Sequence, residues 1–186
     1  MSTSNKKSIF TIKEMAYIAV SAALIAVGAF IKIPLPMVSL TLQWFFVMIS
    51  AVILGKRNST VSVLLYLFIG LCGIPVFTMG GGPQYVLYPT FGYFIGFLVC
   101  AYLIGLAYEK GATKFWQLLI VNIIATIILY AIGFAYYILV VVLYIKDGRD
   151  LAALVVPFLV TPIPGDLIKI VLASFIAPRV RKALKS

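Results

Sequence analysis

Thr161-Pro-Ile-Pro-Gly-Asp-Leu-Ile-Lys169 sets an acid and a base three residues apart in a chain that is otherwise almost hydrocarbon. At helical spacing Asp166 and Lys169 share one face, so they can pair with each other or jointly hold a polar solute. An ionisable side chain at membrane depth costs roughly 2.5–3.5 kcal/mol on insertion scales, and such groups usually face a cavity. Pro164 suits the first turn of a helix, and Asp166 lies where a negative charge meets the positive end of the helix dipole. The competing reading is purely structural: Asp166 complements the dipole and Lys169 neutralises Asp166.

Composition fixes the solvent of the rest. Of 186 residues 63% are hydrophobic and 11% charged, with a mean hydropathy of +1.14. A soluble domain is nearer 45–50% apolar, so the chain reads as an all-α, polytopic membrane protein. At about 20 residues per span there is room for about six helices, which makes residues 1–186 a single membrane domain. There is no histidine, the commonest metal ligand and general base. Clustered acids are missing too, so neither a metal site nor a nucleophile–base pair is expected, and the chain does not read as an enzyme. Cys72 and Cys100 lie in apolar runs and read as packing residues.

Taken in order, residues 1–13 form a basic segment with Lys6, Lys7 and Lys13. Met15 to Ile31 lacks a signal-peptide cleavage pattern and reads as a retained first span. Its Ala19, Ala22, Ala23 and Ala26 make a small-residue face that another helix can approach closely. Pro34 and Pro36 break the helix. The second span runs over Leu40–Leu54, residues 55–60 form a polar turn, and Val61 to about Leu71 is the third span. A long Gly/Pro-rich outer loop without a charge covers residues 73–90. Phe91–Tyr108 is the fourth span and Phe115–Ile145 the fifth. Leu151–Val160 reads as a short extra segment at the outer surface, followed by the sixth helix from near Pro164 and a basic tail over 178–186.

With six spans, the inside segments hold the basic residues at 6, 7, 13, 56, 57, 110, 114, 179, 181, 182 and 185, against 32, 146 and 149 outside. That asymmetry places both termini in the cytoplasm. It also accounts for the net charge of +10 by topology and anionic membrane lipid, without nucleic acid. On the outer side this topology gathers Ser39, Gln43, Gln84, Tyr85, Tyr88, Thr90, Tyr93, Asp166 and Lys169, with Asn122 from the fifth span. Non-helical backbone at this depth lines a cavity or is buried in protein, and aromatic walls with amides and one ion pair describe a site for a small polar-headed solute. Gly80-Gly-Gly82 lacks the Lys-Ser/Thr ending of a phosphate loop. The chain also lacks a nucleotide motif and the inverted repeats of a self-contained transporter.

Gly73-Ile-Pro-Val-Phe77 leading to Gly80-Gly-Gly-Pro83, then Pro89-Thr90 and Gly92-Tyr93…Gly96-Phe97, resembles the central signature of the BioY family, the biotin-specific S-components of energy-coupling factor (ECF) vitamin transporters. Pro164-Gly-Asp166 with Lys169 resembles that family's last-helix motif, and Tyr88, Phe91 and Gln84 depart from its pattern. The resemblance implies a six-helix subunit in the cell membrane that captures biotin outside. It also implies partnership with a transmembrane coupling protein, met by the alanine face, and with two cytoplasmic ATPases. By position, Asp166 and Lys169 would hold the ureido head, Tyr85 and Tyr93 would enclose the rings, and Ser39 with Gln43 would meet the valerate carboxylate. The rival readings are an S-component for riboflavin or thiamine, and a membrane assembly protein whose ion pair is structural.

Overall fold

Helix α1 (Ile12–Phe30) starts at a reciprocal cap in which the Glu14 N–H donates to Thr11 Oγ1 (3.2 Å) and the Thr11 N–H to Glu14 Oε2 (2.8 Å). Two orphan amides of the first turn are thereby satisfied. Its inward face is Ile18, Ser21, Ala22, Ile25, Gly28 and Ala29. Gly28 lets the next helix start against it, since a Cβ there would lie 2.9 Å from the Gln43 amide nitrogen. The computed structural model describes residues 10–34, 39–141 and 161–185.

The proline-interrupted break after α1 closes as a two-residue antiparallel ribbon, β1 (Lys32–Ile33) on β2 (Leu40–Thr41), with Lys32 opposite Thr41. Helix α2 (Gln43–Leu71) is folded back on itself at Gly55, whose φ of 76° and ψ of 175° are not helical. Glycine carries such a φ at no steric cost. The two arms, residues 43–54 and 56–71, run side by side: Gln43 Nε2 donates to the Tyr66 hydroxyl at 2.6 Å, whereas 23 residues of straight helix would separate them by about 35 Å. The polar turn expected over residues 55–60 is therefore corrected to Gly55 alone. Residues 56–60 are helical, and there the Ser59 and Thr60 hydroxyls find partners by donating to the carbonyls of Gly55 and Lys56 (both 2.7 Å). Glu109 adds a charge at the start of the second arm by accepting the Lys56 N–H at 3.0 Å, where the dipole favours an anion.

The Gly-rich loop then turns back over the bundle. Phe77 is its plug, only 1% exposed, packed on Tyr66, Tyr85 and Phe94, and its ring occupies the space a side chain at Gly70 would need. Two short 3₁₀ turns (Pro83–Leu87 and Pro89–Phe91) lead into α3 (Gly92–Glu109) and α4 (Phe115–Val140). Helix α5 (Ile163–Lys185) runs through Pro178 to Lys185, so the basic residues of the expected tail are helical. Helix α2 packs on α1, α3 and α5, and α4 on α3 and α5.

Among the described residues there are five α-helices, with α2 in two arms. Helices α1, α2, α3 and α4 are long and apolar enough to cross a membrane. The segment expected over Leu151–Val160, the loop around Lys146 and Arg149, and most of the basic segment 1–13 lie outside the described residues.

Candidate functional site

Pro164-Gly165-Asp166 lies in the first turn of α5. Pro164 falls in the first helical turn, where its missing N–H costs nothing. Gly165 leaves room for Leu40, whose side chain fills the place of a Cβ, bringing β2 against the helix. Asp166 then stands in the first turn with its N–H on the Pro162 carbonyl at 3.0 Å. Its Oδ1 is ion-paired to Lys169 Nζ, and its Oδ2 accepts from the Tyr130 hydroxyl of α4. Lys169 Nζ also donates to the Thr41 carbonyl at 2.8 Å. The side chains of Asp166 and Lys169 are only 9% and 7% exposed. A buried pair of this kind is sustained only when additional hydrogen bonds satisfy both charges, and here α4 and β2 supply them.

These groups form one wall of a cavity whose other wall is aromatic. Trp44 stacks on Phe97 (centroids 5.7 Å apart, 6° between planes) and donates Nε1–H to Thr126 Oγ1 at 3.0 Å. Tyr85 is buried, with rings of Phe94 and Tyr88 stacked on it. Burial pushes the Tyr85 hydroxyl above the usual tyrosine range, so it stays a protonated donor at neutral pH. Tyr93 meets Tyr130 edge-on at 6.1 Å and 87°. Gln43, buried in the same lining, is a hub: its Oε1 accepts from Thr41 (3.2 Å) and Thr78 (3.3 Å). Lys32 Nζ reaches the Thr78 carbonyl at 2.7 Å, tying the Gly-rich loop to the ribbon.

Ser39, Gln43, Tyr85, Tyr93, Asp166 and Lys169 thus line one cavity, as does Thr90. Gln84 does not; it is exposed and donates to the Gly81 carbonyl at 2.8 Å. Asn122 is fully buried away from the lining, donating Nδ2–H to Ser174 Oγ at 2.9 Å. Sequence reasoning missed Trp44, Phe94, Phe97, Leu129 and Tyr130, all of which line the cavity. For Tyr130 a signal existed, since Asn122, Thr126 and Tyr130 recur every four residues and form one stripe of α4. On α1, Ala19 and Ala23 are exposed and Ala26 half-buried. Ala22 is a correction to the outward alanine face: at 4% exposure it packs in the core, because it shares the inward stripe with Ile18, Ile25 and Ala29.

Fold and cavity together define the class, an all-helical membrane protein with a charge-paired, aromatic-walled cavity. The particular family follows from comparison. The BioY family model matches residues 1–186. The chain is 41% identical to a probable biotin transporter BioY of Lysinibacillus sphaericus over 92% of this chain and 88% of that one. It is 40% identical to the biotin transporter BioY of Thermotoga maritima, over 91% and 96%. A crystal structure of the S-component for biotin from an ECF-type ABC transporter superposes with a TM-score of 0.78 at 31% identity, covering 98% of this chain and 95% of that one. This chain belongs to the BioY family and is a multi-pass membrane protein.

Proposed function

We propose that the chain is the substrate-binding membrane component of an ECF-type biotin uptake transporter. The observation that carries this reading is the buried Asp166–Lys169 pair in a cavity walled by Trp44, Tyr85, Phe94 and Phe97, in a chain whose relatives bear the name of biotin transporters. A ureido head offers what this wall needs: N–H donors for the carboxylate and a carbonyl acceptor for the ammonium. The fused rings present apolar faces to the aromatic wall. Ser39 and Gln43, in the same lining, meet the valerate carboxylate.

In this reading α1, the two arms of α2, α3, α4 and α5 make six crossings, with the cavity facing outward and both termini in the cytoplasm. The exposed alanines 19 and 23, with Ala26, contact a transmembrane coupling protein. Two cytoplasmic ATPases drive inward release, and the basic inner ends rest on anionic lipid. The chain itself binds and does not catalyse.

The deciding experiment is calorimetric titration of the detergent-solubilised protein with biotin, with riboflavin and thiamine as controls, repeated on Asp166→Asn. Biotin-only binding that the substitution abolishes is expected. Binding of another vitamin instead would keep the class and change the substrate. No binding of any of the three by folded protein would leave the ion pair a structural device.

A further inference from the structure

An aspartate carboxylate turns easily about its terminal torsion, which has broad wells rather than sharp staggered ones. In a ligand site this freedom blurs which oxygen meets which donor. At Asp166 the two oxygens are instead divided. Oδ2 accepts the Tyr130 hydroxyl. Oδ1 is buried, ion-paired to Lys169, and takes no hydrogen bond among the described residues beyond that ionic contact. A carboxylate has about four lone-pair positions, so Oδ1 keeps accepting capacity, in a residue that lines the cavity.

Tyr130 is itself held. Its ring stands edge-on against Tyr93, and Tyr93 has room there because Gly133 carries no side chain: a Cβ at that position would come within 3.2 Å of the Tyr93 ring. The hydroxyl is thus delivered by a rigid side chain on a helix other than the one bearing Asp166. We infer that Tyr130 is a positioning residue of the ligand site, fixing the Asp166 carboxylate so that Oδ1 faces Lys169 and the incoming N–H donor. Its ligand rests on the biotin reading above; its contact with Asp166 does not.

Tyr130→Phe keeps the ring and the Tyr93 contact and removes only the hydroxyl. Two readouts separate the roles. The first is infrared difference spectroscopy. With five Asp and Glu in the chain, the carboxylate stretch removed by Asp166→Asn identifies the Asp166 band, and Tyr130→Phe should move that band. The second is biotin affinity, expected to fall roughly 10- to 100-fold, the worth of a hydrogen bond to a charged group. A moved band with unchanged affinity would overturn the inference. Weakened binding with an unmoved band would also overturn it, assigning the hydroxyl to the ligand or the fold directly. If the wild type bound no biotin, the substrate reading would fall, and the band alone would decide whether Tyr130 holds Asp166.

Discussion

On one wall of the cavity Lys169, Asp166, Tyr130 and Thr41 form a chain of contacts with little redundancy. On the other, Trp44, Phe94, Phe97 and Tyr85 overlap, so that Phe94 alone touches Tyr66, Phe77, Tyr85, Phe91 and Phe97. Among the described residues the charged wall has no spare partner, and losing one atom strands another in a medium that solvates it poorly. The aromatic wall is redundant, and losing part of one ring is shared among neighbours. Substitutions on the two sides should therefore differ in kind: steep on the first, graded on the second.

The largest effect is expected at Lys169. Lys169→Ala leaves the Asp166 carboxylate buried without its cation, which should cost at least about 100-fold in biotin affinity together with a lower unfolding temperature in detergent. The charge-neutral double replacement Asp166→Asn with Lys169→Gln removes the stranded charge. It should restore much of the thermal stability while binding stays lost. Recovery of both would make the pair structural and erase the contrast between the walls.

Trp44→Phe tests the graded side. It keeps a ring on Phe97 but loses the indole N–H bond to Thr126 and part of the contact area. A loss of about 3- to 10-fold in affinity is expected, measured by the same titration. A loss as steep as that of Lys169→Ala would mean that the aromatic wall is not redundant.

How much of this was legible depended on whether a residue's chemistry was visible without its neighbours. Asp166 and Lys169 stood out because charge inside a hydrocarbon run needs an explanation, and Pro164 ahead of Asp166 marked a helix start. Trp44, Phe94 and Phe97 did not stand out, because in an apolar span an aromatic that faces a cavity and one that faces lipid read alike. The chain reversal was placed correctly near Gly55 but drawn too wide. Ser59 and Thr60 read as turn residues, yet with their hydroxyls turned back on the preceding carbonyls they are accommodated inside the helix. The alanine pattern of α1 showed a close-packing helix but not its direction, and Ala22 turned inward while Ala19 and Ala23 turned outward.

The rim offers smaller, kinetic tests. Lys32 spans from the ribbon to the Thr78 carbonyl and is exposed, so water can replace its bond at little cost. Lys32→Ala should speed biotin dissociation by only about 2- to 4-fold, leaving the association rate nearly unchanged, since affinity differences among variants of one site lie mostly in release. Stopped-flow chase with unlabelled biotin reads this directly. A much larger acceleration would make the tie between loop and ribbon the main barrier to escape rather than the charged wall.

The smallest effect is expected at Gln84, and it discriminates between pattern and geometry. Its position in the Gly-rich loop made it a candidate ligand group, but its side chain is exposed and spends its amide on the Gly81 carbonyl, one turn of its own loop away. The neighbouring Tyr85 points the other way, into the cavity. In the 3₁₀ turn of Pro83–Leu87, three residues complete a turn, so adjacent side chains diverge by about a third of a circle and only one of the two can face inward. Gln84→Ala should therefore leave biotin affinity within about 2-fold, the worth of a solvent-exposed hydrogen bond within one loop. A loss beyond about 10-fold would mean that the loop turns Gln84 inward when ligand binds, and that the wall built by Tyr85 is remodelled in the process.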